Sequence, residues 1–179
     1  AELKSLALVL SKIANDLRLM NSGPRTGLKE ISLPDVQPGS SIMPGKVNPV
    51  MAEALNQVAF QVIGNDLTIT LAAEAGQFEL NVMQPIVYFN LIQSFEILTN
   101  TIQLFTDRAV INLEVNAKRC QEMVDNSISL ATALVPILGY EKASSIARQA
   151  LEEGISIKDV LIKDDKLPSD LRKLLIQKQ

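Results

Sequence analysis

The sequence predicts an all-α protein, in which a segment of a long-helix bundle is followed by a small helical domain. Apolar residues recur at three- and four-residue steps over long stretches, which is the spacing of one helix face. Glycine and proline are concentrated between these stretches. After Asn112 the periodic stretches become shorter. We therefore expect one domain over residues 1–110 and a second over residues 111–179.

The first expected helix spans residues 2–21, and Gly23 and Pro24 end it. The segment 23–49 that follows is rich in glycine and proline, and a loop of this length is usually either functional or disordered. Its apolar residues are expected to pack against the core; they are Leu28, Ile31, Leu33 and Val36. We therefore interpret the segment as a functional loop.

Two further long helices are expected after this loop. Asn48 is predicted to cap the first, with Pro49 at the first helical position, and the helix runs to about Ala75. The next runs from about Val82 to Arg108, with Pro85 in its first turn. It carries one continuous apolar stripe: Ile86, Phe89, Ile92, Phe95, Leu98, Ile102 and Phe105.

Shorter helices are expected in the C-terminal part of the chain, at residues 116–126, 127–137, 140–153 and 156–162. Ser156, with Asp159 three residues later, has the pattern of a capping box. A final short helix is expected after Pro168.

Composition excludes several classes of function. The chain is 47% hydrophobic, an excess that favours helix faces built for partner chains, although a well-filled monomeric core is the alternative. Net charge is −3 and there is no basic stripe, so nucleic acid is not an expected partner. Cys120 is the single cysteine, which fits a reducing compartment. Without a signal peptide or a long apolar run, we expect a cytoplasmic protein that does not span a membrane.

Histidine is absent from the sequence, which limits the chemistry that this chain can perform alone. A zinc site or a Ser-His-Asp triad within the chain is not expected, and neither a metal nor a cofactor is predicted. A general acid or base would have to be Asp, Glu, Lys, Tyr, an activated serine or a group from another chain.

The loop at Gly39–Pro49 has the composition of an anion-binding and catalytic loop, and it reads GSSIMPGKVNP. Gly39 and Gly45 allow the backbone to turn its N–H groups inward, and Lys46 adds a positive charge. Such groups could stabilise a serine alkoxide or a substrate carboxylate. The alternative is that the serines and Asn48 only complete turn and cap hydrogen bonds.

This loop closely resembles the signature loop of the fumarase/aspartase superfamily. The flanking segments KIANDLRLMNSGPRTGL and GQFELNVMQP are also similar to family segments, and residues 111–162 resemble the small C-terminal domain of its fumarase and aspartase branches. The resemblance covers essentially the whole sequence. It implies a lyase that acts by reversible elimination across Cα–Cβ to give fumarate.

The resemblance also implies roles for individual residues. Ser40 matches the catalytic base that takes a proton from Cβ, and Ser41 matches a residue that holds the carboxylate on which the aci-carboxylate develops. Lys46 and Asn48 match ligands of the other carboxylate. Glu53 matches a glutamate that pairs with a histidine from elsewhere, although a solvated carboxylate in the first helical turn is the alternative. The residues that shape the loop are Gly39, Met43, Pro44 and Gly45.

Members of this family are more than twice as long and carry two further signature regions upstream. The resemblance therefore implies that this chain is the C-terminal part of such an enzyme, whose active sites are assembled from three subunits of a homotetramer. The segment AAEAGQFELNVMQP, with Gln77 and Met83-Gln84, is more similar to the aspartase branch. Elimination of ammonia from L-aspartate is the favoured reaction, and hydration of fumarate is the alternative. A third possibility is that the separated chain is an inactive helical assembly module.

Overall fold

In a computed structural model, which describes residues 1–163, the regular secondary structure of those residues is helical apart from one two-stranded sheet. Three long helices dominate the first part: α1 (Glu2–Met20), α2 (Val50–Glu74) and α3 (Gln84–Phe105). Pro85 lies in the first turn of α3 as predicted, and a five-residue π-helix, Thr106–Val110, continues α3. The predicted all-α fold is confirmed.

Five shorter helical elements follow: α4 (Ala117–Asp125), a 3₁₀ helix (Ile128–Leu134), α5 (Val135–Leu138), α6 (Tyr140–Glu153) and α7 (Ile157–Lys163). Residues 127–137 were expected to form one helix, and this prediction is wrong. The Ser127 hydroxyl accepts the Ser129 N–H and starts the 3₁₀ helix. Pro136 lies in the first turn of α5, and because it has no N–H it favours a new helix start there. The helix expected after Pro168 lies outside the described residues.

The chain divides into two compact units, and the second begins at Ala117. Residues 114–116 belong to the first unit because strand β2 (Glu114–Val115) pairs antiparallel with β1 (Ile31–Ser32). The Asn116 N–H also donates to the Glu30 carbonyl at 2.8 Å. The predicted domain boundary after residue 110 stays a prediction.

Small residues bring α1 and α2 of the first unit together. Ala7, Ala14, Ala52 and Ala59 are fully buried, which allows the two helix backbones to approach closely. Leu55, Leu98 and Phe105 fill the remaining space and are also buried. One core cluster includes Ile31 and Leu33 together with Ala52 and Leu55, so the chain entering the predicted loop is fixed against the start of α2.

The contact between α2 and α3 buries polar side chains as well as apolar ones. Asn65, Asn90 and Ser94 are buried, whereas Phe89 and its neighbours on the predicted stripe are exposed: Ile86, Ile92 and Phe95. The stripe on α3 is therefore buried only in its C-terminal half, at Leu98 and Phe105. The first half of α3 turns its polar side toward α2, so the N-terminal half of the predicted apolar stripe is exposed.

The second unit has a conventional apolar core, and its buried members are Ala131, Leu134, Ala143, Ile146, Ala150, Ile157, Val160 and Leu161. The predicted capping box at the start of α7 is confirmed, since the Ser156 hydroxyl accepts the Asp159 N–H and the Asp159 carboxylate accepts the Ser156 N–H. Across the described part of the chain, the structure contains no helix that is both long and apolar enough to cross a lipid bilayer.

Candidate functional site

The segment that enters the loop is fixed at its base by the end of α1. The Asn21 side-chain oxygen accepts the Leu33 N–H at 3.0 Å, and the Glu30 N–H donates to the Met20 carbonyl at 2.9 Å. Ile31 and Leu33 are buried, which confirms that this part packs down. Val36 was expected to do the same but is 37% exposed, because it lies beyond the paired strand β1.

Two hydrogen bonds close the base of the loop. The Gly39 N–H donates to the Lys46 carbonyl at 2.8 Å, and the Asn48 side-chain amide donates to the Gly39 carbonyl at 3.1 Å. A Cβ atom on residue 39 would lie 2.5 Å from the Lys46 carbonyl oxygen, so only glycine fits there. Gly45 has a φ of +76°, which is also a glycine conformation.

The Ser40 hydroxyl lies inside a turn made by its own loop. Its Oγ accepts the N–H groups of Ile42 and Met43, each at 3.1 Å. Two backbone donors on one oxygen stabilise negative charge on that oxygen more than they stabilise the neutral hydroxyl. The geometry is therefore that of a small oxyanion hole around the Ser40 oxygen.

Ser40 and Lys46 share an open depression of about 390 Å³ with Gly45. The depression is also lined by residues that precede or follow the loop: Asp35, Val36, Gln37, Pro38 and Val47. Sequence reasoning missed the polar side chains of Asp35 and Gln37. Their position just before the loop was the only signal that could have pointed to them.

Several predicted residues do not line this depression. Ser41, Met43 and Pro44 are exposed on the loop. Lys46 does line the depression, but its side chain is exposed and forms no ion pair with a described residue. The structure thus places the N–H groups of Ile42 and Met43 on the Ser40 hydroxyl, and it places Lys46 in the same depression as Ser40. Ser41 does not line that depression.

The predicted helix cap at Asn48 is wrong. Helix α2 begins at Val50, one residue later than expected, and Pro49 has non-helical angles with φ −77° and ψ 60°. The Asn48 carbonyl accepts the Val50 N–H at 2.8 Å across Pro49, which is the geometry of an inverse γ-turn. The Asn48 amide does not cap the helix because it is turned back toward Gly39.

Glu53 lies in the first turn of α2 and is half-buried. Its N–H donates to the Pro49 carbonyl at 3.1 Å, and its carboxylate has no hydrogen-bond partner among the described residues. The carboxylate does not line the depression that contains Ser40. A histidine partner would have to come from another chain or segment, because this sequence contains none.

Comparison with known proteins relates both units to one group of enzymes. Residues 1–64 match the family described as Lyase, and residues 130–175 match the family described as Fumarase C C-terminus. Aspartate ammonia-lyase from Bacillus subtilis is 58% identical over 170 residues, which are 95% of this chain and 36% of that protein. A class II fumarate hydratase from Pseudomonas aeruginosa is 52% identical over 166 residues, covering 93% of this chain and 36% of the relative.

A solved structure supports the same relationship. A fumarate lyase:delta crystallin from Brucella melitensis superposes with a TM-score of 0.90 and 51% identity, over 98% of this chain and 38% of that protein. The chain spans a little over a third of the length of the relatives that it matches, and the match falls on their C-terminal portion. The chain belongs to the fumarase/aspartase superfamily.

Proposed function

We propose that the protein carrying this chain catalyses the reversible elimination of ammonia from L-aspartate to give fumarate, with Ser40 as the base. The observation that carries the proposal is the pair of backbone N–H groups held 3.1 Å from the Ser40 oxygen. Identity of 58% with an aspartate ammonia-lyase supports the choice of reaction. The proposed substrate is thus a small dicarboxylate.

In the first step, the negatively charged Ser40 oxygen takes a proton from Cβ of the substrate and becomes a hydroxyl. The electron pair of the broken C–H bond moves into the neighbouring carboxylate, which becomes an aci-carboxylate. The N–H groups of Ile42 and Met43 stabilise the Ser40 oxygen while it carries negative charge. Negative charge builds up on the substrate carboxylate in this step, and each preorganised donor aimed at that carboxylate is typically worth about 10²–10³ in rate.

In the second step, the electron pair returns from the aci-carboxylate and forms the Cα–Cβ double bond. The Cα–N bond breaks and ammonia leaves. Ser41 is proposed to hold the carboxylate on which charge develops, and Lys46 and Asn48 are proposed to bind the other carboxylate. Glu53 is proposed to orient a histidine supplied from outside this chain. Gly39, Met43, Pro44 and Gly45 are proposed to shape the loop.

The proposed site needs groups from elsewhere, and we propose that a homotetramer supplies them. Support comes from the exposed apolar side chains of the three long helices. They include Val9, Leu19, Phe60, Leu67, Leu71, Tyr88, Phe89, Ile92 and Phe95, each more than half exposed. An apolar surface of this extent is typical of a protein interface. We further propose a cytoplasmic location, which agrees with a single cysteine, Cys120.

Hydration of fumarate is the second candidate reaction, because a class II fumarate hydratase is 52% identical to this chain. The two reactions share the base and differ in the leaving group. Absorbance of fumarate, followed with aspartate and then with malate as substrate of the full-length protein, distinguishes them. Turnover of malate without turnover of aspartate would replace our choice, and turnover of neither would leave a structural role.

The base assignment is tested by Ser40→Ala in the full-length protein. Loss of a general base is expected to lower kcat by about 10²–10⁴-fold with little change in KM, because the lost interaction belongs to the transition state. Lys46→Ala should lower kcat and, unlike Ser40→Ala, should also raise KM, because Lys46 is proposed to bind a substrate carboxylate. Ser145→Ala is the matched control, since Ser145 is an exposed serine of α6 in the second unit. Near-normal turnover by Ser40→Ala would eliminate Ser40 as the base.

A further inference from the structure

We propose that Asn48 is a positioning residue that holds the loop in shape before substrate arrives. This role rests on the proposed function of the Ser40 loop, and it is additional to binding a substrate carboxylate. The Asn48 amide donates to the Gly39 carbonyl at 3.1 Å, a bond that joins the two ends of the loop. The bond lies within the protein and is therefore independent of substrate.

The peptide group between Gly39 and Ser40 explains how Asn48 acts on the base. A peptide group is planar, so a donor on its carbonyl oxygen also fixes the direction in which the chain enters the next residue. The preceding peptide is fixed too, because the Gly39 N–H donates to the Lys46 carbonyl at 2.8 Å. With both peptides of Gly39 held, the Ser40 Oγ stays within reach of Ile42 and Met43.

The two residues that follow Asn48 offer no backbone donor in place of its amide. Pro49 has no N–H, and the Val50 N–H already donates to the Asn48 carbonyl at 2.8 Å. The side chain at position 48 is the donor that the Gly39 carbonyl accepts. Removing this donor should let the Gly39–Ser40 peptide rotate and loosen the turn around the Ser40 oxygen.

The same amide retains capacity for a ligand. An asparagine amide has two N–H groups and a carbonyl oxygen, and one N–H is used on Gly39. The second N–H and Oδ1 form no hydrogen bond with the described residues, so the second N–H can donate to a substrate carboxylate. Holding the loop and binding the carboxylate are therefore compatible roles for one side chain.

Hydrogen exchange of the loop amides tests the positioning role without any need for turnover. In Asn48→Ala, we expect exchange at the N–H groups of Gly39, Ile42 and Met43 to become at least about tenfold faster. Asn126→Ala is the matched control: Asn126 also donates to a backbone carbonyl, that of Glu122, but in the second unit. Asn126→Ala should leave the exchange rates of these three amides unchanged. Unchanged exchange in Asn48→Ala would overturn the proposal.

Asn48→Asp keeps the shape of the side chain and replaces the donor by an acceptor, so it decides the question if Asn48→Ala fails to fold. It should accelerate exchange at the same amides while those of α2 stay protected. Normal exchange in this variant would contradict the positioning role.

Kinetics of the full-length protein separate this proposal from the proposed function. A residue that only binds substrate would raise KM, whereas a positioning residue also lowers kcat. If Asn48→Ala raised only KM and left loop exchange normal, Asn48 would be a ligand and the inference would fail. If exchange accelerated in a protein that turned over neither aspartate nor malate, the positioning role would stand and the proposed reaction would fail.

Discussion

The two units of the chain bury different kinds of side chain. The second unit buries aliphatic residues such as Leu134, Ile146 and Leu161. The first unit buries Asn65, Asn90 and Ser94 between α2 and α3, and it exposes large apolar side chains on the same helices. The second unit therefore resembles a self-contained small domain, whereas the first has the surface of a domain whose core is shared with a partner.

Asn65 is the centre of the buried polar contact between α2 and α3, and its side chain is fully hydrogen-bonded. The Asn65 amide donates to Gln93 at 3.0 Å and to Ser94 at 2.9 Å, and its oxygen accepts from Gln61 at 2.8 Å. No buried side-chain nitrogen or oxygen in the described part of the chain lacks a partner. Such a network contributes less to stability than apolar packing, but it fixes the alignment of α2 against α3.

Leu161→Ala in the second unit should have the largest effect on stability. Leu161 is 2% exposed, and its truncation leaves a cavity in the apolar core. The expected loss of unfolding free energy is about 2–5 kcal/mol, measured by urea denaturation followed by circular dichroism. The adjacent Ile162→Ala is the control, since Ile162 is 36% exposed and should lose much less. Equal losses in both variants would contradict a self-contained core in this unit.

Asn65→Ala tests the polar contact of the first unit. The substitution leaves Gln61, Gln93 and the Ser94 hydroxyl without one partner each, which should cost about 1–3 kcal/mol of unfolding free energy. Asn126→Ala removes an exposed asparagine and should change stability by no more than about 0.5 kcal/mol. If Asn65→Ala were as stable as this control, the network would have no part in holding α2 against α3.

Phe95→Ser tests whether the exposed face of α3 belongs to an interface. Phe95 is 54% exposed, so the stability of the separate chain should change by only about 0.5 kcal/mol. Self-association of the full-length protein, measured by analytical ultracentrifugation, should weaken at least about tenfold. Leu98→Ser, three residues later and 2% exposed, should instead destabilise the fold itself. Unchanged association in Phe95→Ser would remove this face from the proposed interface.

The smallest effect is expected at Glu153 in the second unit. The hydrogen bond from Gln149 lowers the pKa of the Glu153 carboxyl below its usual 4.5, and Lys163 adds to the shift. A lowered pKa in the folded state means that this stabilisation is present above the unfolded pKa. It is lost as the pH falls through the folded value.

Gln149→Leu should therefore raise the pKa of Glu153 toward its usual value, which an NMR titration of the side-chain carbon measures. Gln121→Leu removes a similar glutamine–carboxylate bond in α4, to Asp125, and should leave the Glu153 titration unchanged. A Glu153 pKa that did not respond to Gln149→Leu would assign the shift to another cause.

The bounds of the helices could largely be predicted, because apolar spacing and helix-ending Gly or Pro residues depend only on the nearby sequence. α6 has the predicted bounds, and Ser156 with Asp159 forms the predicted capping box. The direction in which α3 faces was not predictable, because Phe95 and Ser94 are both compatible with burial until the neighbouring helix is known. Packing against α2 decides which of these side chains is buried, and residue spacing within α3 does not reveal it.

In the loop, too, features set by residue type could be predicted, whereas features set by the surrounding fold could not. Gly39 and Gly45 could be placed at turns from their type alone. The use of the Asn48 amide on Gly39 was missed because a helix cap and a loop closure both suit asparagine, and only the fold chooses between them. The two N–H groups on Ser40 follow from the turn geometry rather than from residue type.

The pairing of β1 with β2 has a consequence for synthesis of the protein. Ile31 of β1 pairs with Val115 of β2, which lies far along the chain, so this pairing cannot form until the ribosome has released the segment through Asn116. Contacts of such large sequence separation form late and slowly. A nascent chain that already contains Ser40 should therefore have the contacts of this segment to α1 but lack its pairing with β2.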